Sequence, residues 1–90
     1  MAVLTLVLKK GTVYDKALED AVYEATGGSG FLYMRGGIVY LEFVYEVDLD
    51  AEQKVCTEAR TGRSATDAIL LAVHTVKAAK LEVNYMEAKP

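Results

Sequence analysis

Residues 31–48 read FLYMRGGIVYLEFVYEVD, and two adjacent glycines, Gly36 and Gly37, divide the stretch into two runs of alternating polarity. A glycine pair accepts the positive φ angles of a two-residue hairpin turn, and a period of two marks strands with one face buried. The turn fixes the register: Arg35 opposes Ile38, Met34 opposes Val39, Tyr33 opposes Tyr40, Leu32 opposes Leu41 and Phe31 opposes Glu42. One face of the hairpin then collects Leu32, Met34, Val39, Leu41, Phe43, Tyr45 and Val47, which is the expected core side.

Upstream, Ala2–Leu8 reads AVLTLVL, an apolar run broken only by Thr5, as suits a strand covered on both faces. Gly11 ends it, and Thr12, three residues before Asp15, is placed to cap a helix whose apolar positions are Tyr14, Ala17, Leu18, Ala21, Val22 and Ala25. Gly27 and Gly28 stop that helix.

Downstream, residues 51–61 fit either a short helix after Asp50 or a strand folding back on the hairpin. Pairing favours the strand over residues 54–61: Val55, Thr57 and Ala59 would meet Val47, Tyr45 and Phe43, while Lys54 faces Asp48 and Arg60 faces Glu42. Ser64 precedes Asp67 by three residues and opens a second helix, with Ala65, Ala68, Ile69, Ala72, Val73 and Val76 as its stripe, widened by Leu70 and Leu71. The stripe is wider than one sheet needs. Leu81, Val83 and Tyr85 alternate with Glu82 and Asn84 as a last, half-buried strand before a tail at residues 87–90.

The order β-α-β-β-β-α-β predicts an α+β two-layer sandwich, with an antiparallel or mixed sheet and both helices on one face. Ninety residues suit one domain over 1–90, and 52% hydrophobic with 26% charged residues is a globular balance. A net charge of −3 argues against a protein built to neutralise nucleic-acid phosphates. The single cysteine, Cys56, excludes an internal disulfide and a multi-thiolate metal site. With no long apolar run and no basic segment before Ala2–Leu8, a cytoplasmic protein without a membrane partner is expected.

The face of the hairpin turned away from the helices would carry Phe31, Tyr33, Arg35, Ile38, Tyr40, Glu42, Val44, Glu46, Cys56, Glu58 and Arg60. Its apolar members form a patch bordered by charge, which is how contact surfaces are built, and Tyr and Arg often dominate interface energy. Three covers suit it: the first strand or the tail of the same chain, a second copy, or another partner. Self-association could also use the edge of the first strand, if its N–H groups are unpaired. A chain of this size buries only about two thirds of its unfolded surface, so oligomerisation would help it. Phe31, Tyr33 and Tyr40 could stack on nucleic-acid bases, but Glu42, Glu46 and Glu58 oppose a phosphate backbone.

Other candidates for chemistry have simpler structural explanations. TGRSATD, residues 61–67, could hold an anionic metabolite or nucleotide through Gly62, Arg63 and Ser64 at a helix start, yet Asp67 competes with any anion there. GGSG at 27–30 reads as a helix stop and turn. His74 sits on a helix flank, and Cys56 would lie across the sheet from it. Asp48, Asp50 and Glu52 lack the glycine of a calcium loop. No cofactor or metal is expected. The stretch CTEARTGRSATDAILLAV, about a fifth of the chain, resembles in pattern the last strand and second helix of double-stranded-RNA-binding domains. That family's lysine cluster at the start of the second helix is absent, with Arg63 and Asp67 in its place, and membership is not inferred. The expectation is therefore a non-enzymatic, homo-oligomeric or partner-binding regulatory module that acts through Phe31, Tyr33, Arg35, Tyr40 and Val44. A ligand-binding regulatory domain and a single-stranded nucleic-acid binder are the alternatives.

Overall fold

The polarity pattern resolves into four strands and two helices in a computed structural model that describes residues 2–46 and 63–89. These are β1 (Ala2–Leu8), α1 (Lys16–Thr26), β2 (Phe31–Arg35), β3 (Ile38–Tyr45), α2 (Ala65–Ala78) and β4 (Val83–Lys89). The strands form one antiparallel sheet in the order β2-β3-β1-β4, and both helices pack on one of its faces, giving an α+β two-layer sandwich of the split β-α-β kind. The additional strand expected over residues 54–61, together with Val47, Cys56 and Gly62, lies outside the described residues. Among the described residues no helix is long and apolar enough to cross a membrane.

The hairpin register is the expected one, pair for pair, and Gly36 and Gly37 adopt φ of 58° and 79° at its turn. The core forms where the helix-facing residues of β1 and β3, namely Leu4, Leu6, Leu8, Val39, Leu41 and Phe43, meet Val22 of α1 and Ala68 and Ala72 of α2. Burying a side chain of the Leu, Val or Phe type contributes about 1.5–3 kcal/mol, so this cluster is the main stabilising term. Gly30 sits against it, since a Cβ there would lie 3.0 Å from Leu41 Cδ1 and 3.1 Å from Phe43 Cε1.

Several local expectations need correction. Asp15, not Thr12, caps α1: the Leu18 N–H donates to Asp15 Oδ1 at 2.9 Å, while Thr12 Oγ1 donates back to the Lys9 carbonyl at 2.6 Å. Met34 is 53% exposed rather than buried, because it lies near the hairpin tip on an edge strand. The buried line of α2 runs through Ala68, Ala72 and Thr75, flanked by Leu71, Val76 and Ala79, and leaves Ile69, Leu70 and Val73 exposed. Small alanines bring the helix close to the sheet, and the surplus of the wide stripe turns outward. Thr75 is tolerated in the core because its hydroxyl donates to the Leu71 carbonyl at 2.7 Å. Glu46, expected on the open face, is buried at the end of β3, where its N–H donates to the Arg63 carbonyl at 2.7 Å.

β1 is central, hydrogen-bonded to β3 on one side and β4 on the other, so its edges are not available to another strand. The expected tail is part of β4, which continues to Lys89. Neither β1 nor the tail therefore folds over the open face as a lid.

Candidate functional site

The alternation that buries one face of the sheet sends every second residue to the other face, where no described helix packs. Register places these residues in cross-strand rows. Tyr33 of β2 pairs with Tyr40 of β3, Tyr40 with Val7 of β1, and Val7 with Tyr85 of β4. One row of three tyrosines and a valine thus crosses all four strands. The next row is Phe31, Glu42, Thr5 and Glu87, and the row beyond it is Val44, Val3 and Lys89. Arg35 and Ile38 close the hairpin end.

Geometry within the rows is specific. The Tyr33 and Tyr40 rings stack with centroids 5.1 Å apart and planes 13° from parallel, and Phe31 tilts against Tyr33 at 5.5 Å. Thr5 Oγ1 donates to Glu42 Oε2 at 3.2 Å, tying that carboxylate to the neighbouring strand. Desolvation, then the Glu42 charge, raises the Tyr33 phenol above its ordinary pKa, with the Arg35 charge acting the other way. Around these groups the sheet forms an open trough of about 530 Å³, with Arg35 and Lys89 as its cations and Glu42 and Glu87 as its anions.

All five residues expected to make contact lie on this face. Phe31 is 64% exposed, Arg35 is exposed, and Tyr33, Tyr40 and Val44 are half-buried. Missing from the sequence reading are the contributions of β1 and β4. The run AVLTLVL has no period from which a face can be chosen. In β4 a bulge intervenes: Val7 pairs with Tyr85 while Leu8 pairs with Val83, so Asn84 is skipped. The bulge turns Val83 to the core and Tyr85 to the open face, although unbroken alternation would put them together.

The second candidate, at the start of α2, is held by contacts within the chain. The Asp67 N–H donates to Ser64 Oγ at 3.2 Å and the Ser64 N–H donates to Asp67 Oδ2 at 3.1 Å, a reciprocal cap that places a carboxylate where an anion would sit. Arg63 Nη1 donates to the Val44 carbonyl at 2.9 Å, tying the helix start to β3. Gly62 lies outside the described residues. His74 is exposed on α2, beside a hollow it shares with Ala21, Glu24 and Ala25 of α1. A further hollow of about 360 Å³, past the end of β1, is lined by Lys9, Lys10 and Lys80 with Glu82 among them. No family model matches the chain, and neither a curated protein nor a solved structure matches it at a significant level.

Proposed function

We propose that this chain is a small non-enzymatic interaction module that works by pressing the open face of its sheet against a protein surface, in the first instance a second copy of itself. The observation that carries this reading is the row of Tyr33, Tyr40 and Tyr85, joined through the buried Val7 beneath them, which runs the full width of the sheet on the side that the helices leave uncovered. Tyrosine supplies large apolar area with a polar end and little rotamer entropy to lose, which suits a surface that is wet in one state and covered in another. Arg35 and Lys89 balance Glu42 and Glu87, so like faces can meet without net repulsion.

The same charges weigh against a nucleic-acid platform. Glu42 and Glu87 stand in the row next to the tyrosines, where a phosphate backbone following stacked bases would run. An anionic-ligand role at Gly62, Arg63 and Ser64 gains no support from a helix start already engaged by Asp67. Light scattering on the wild type and on Tyr40→Glu tests the open-face reading. A fall in mass with the circular dichroism unchanged supports it, and an unchanged mass in the folded variant overturns it.

A further inference from the structure

Among the described residues β4 bonds to β1 on one side only, and its register against β1 is regular from Tyr85 to Lys89. Both of its faces are open to solvent: Tyr85 is 52% exposed on the open side and Met86 is 47% exposed on the helix side. An unpaired strand edge of this length is a template for another strand.

The helix layer leaves the same border bare. Tyr14, just before α1, donates from Oη to the Leu32 carbonyl at 3.3 Å, and Thr26 packs beside Gly30, so α1 lies over the β2 side of the sheet. On α2, His74 and Ala78 face the α1 residues Ala21 and Ala25, while Ala68, Ala72 and Thr75 face the sheet. At 3.6 residues per turn, Ile69 and Val73 fall on the remaining flank, turned away from α1 toward β4. Each is 45% exposed.

We propose that β4 pairs with β4 of a second copy, antiparallel about Met86, joining two sheets into one. The strand is self-complementary in that register. Met86 meets Met86, Tyr85 meets Glu87, Asn84 meets Ala88 and Val83 meets Lys89, with no like charges opposed. Moving the two-fold axis one residue to Glu87 sets two carboxylates face to face. Moving it to Tyr85 leaves Ala88 and Lys89 without partners in the strand. Ile69 and Val73 of each copy lie on the α2 flank that faces toward this border, where apolar surface is otherwise wet. This contact is separate from the open face, and the two can coexist in one assembly.

Oxidation of engineered thiols reads the pairing directly, in the full chain carrying Cys56→Ser. In an antiparallel pair, opposed Cα atoms lie about 4.5–5.5 Å apart, inside the range a disulfide spans. Met86→Cys is expected to form a linked dimer at least about tenfold faster than Met34→Cys, an exposed position on the other edge strand, because paired thiols see each other at an effective concentration of roughly millimolar order. Equal rates would overturn the proposal. Met86→Lys opposes two ammonium groups at the two-fold axis, so the solution mass should fall; an unchanged mass with retained fold also counts against β4 pairing. Adding Tyr40→Glu to Met86→Cys separates the two surfaces. Rapid crosslinking that survives it supports the edge independently of the open face, whereas crosslinking that vanishes with it overturns pairing at β4 as an independent contact.

Discussion

Tyr33 and Tyr40 face each other across the β2–β3 ladder with their rings 5.1 Å apart and nearly parallel, so that on the open side of the sheet they form one aromatic unit rather than two separate side chains. That unit has a thermodynamic signature in the isolated chain. A double-mutant cycle with Tyr33→Ala and Tyr40→Ala, read by urea unfolding, should return a coupling of about 0.5–1.5 kcal/mol. Strict additivity would show that the stack contributes nothing in solution.

The charge beside the stack predicts a pH response. Desolvation and Glu42 raise the Tyr33 phenol above 10.0 in the fold, so the folded chain keeps a proton that the unfolded chain has already released. Stability from this group is therefore complete below the unfolded value and falls as pH rises through the folded one. Tyr14, raised by desolvation and then by Glu19, acts in the same direction. Removing the charge with Glu42→Gln should lower the Tyr33 midpoint in a phenolate absorbance titration. A midpoint that stays or rises would contradict the assignment.

Gly30 tests the packing beneath the face. An added methyl would lie 3.0 Å from Leu41 Cδ1 and 3.1 Å from Phe43 Cε1, both in fully buried side chains, so the core must give by a few tenths of an ångström to admit it. Gly30→Ala should therefore cost about 1–3 kcal/mol in chemical denaturation, the usual range for overpacking a core. A neutral substitution would mean that this corner is looser than described.

The caps of α1 separate two readings of one short segment. Asp15→Ala should lower stability by about 1 kcal/mol, since it removes the acceptor for the Leu18 N–H. Thr12→Ala leaves that acceptor in place and removes only a bond within the preceding turn, so it should cost less. Thermal unfolding of the two variants in the reverse order would restore Thr12 as the cap.

Legibility in the sequence followed how local the determining physics is. Gly36 and Gly37 dictate a two-residue turn, and from it the pairing of Tyr33 with Tyr40 follows without reference to the rest of the chain. Ser64 and Asp67 likewise announce their own reciprocal cap. The central place of β1 is a global property: an apolar run states that both faces are covered, but not which strands flank it. The bulge at Asn84 is subtler, because one skipped residue reverses the facing of Tyr85 while leaving the alternating pattern intact. Half of the tyrosine row was therefore visible in the hairpin, and the half supplied by Val7 and Tyr85 emerged only once strand order and register were known.

Contact between the tyrosine row and another molecule can be observed directly. Isotope-filtered NOE spectroscopy on an equimolar mixture of labelled and unlabelled chain observes only contacts between copies. Intermolecular NOEs from the rings of Tyr33, Tyr40 and Tyr85 are predicted. A spectrum without them, in a sample that sedimentation shows to be monomeric or joined elsewhere, would contradict the central claim.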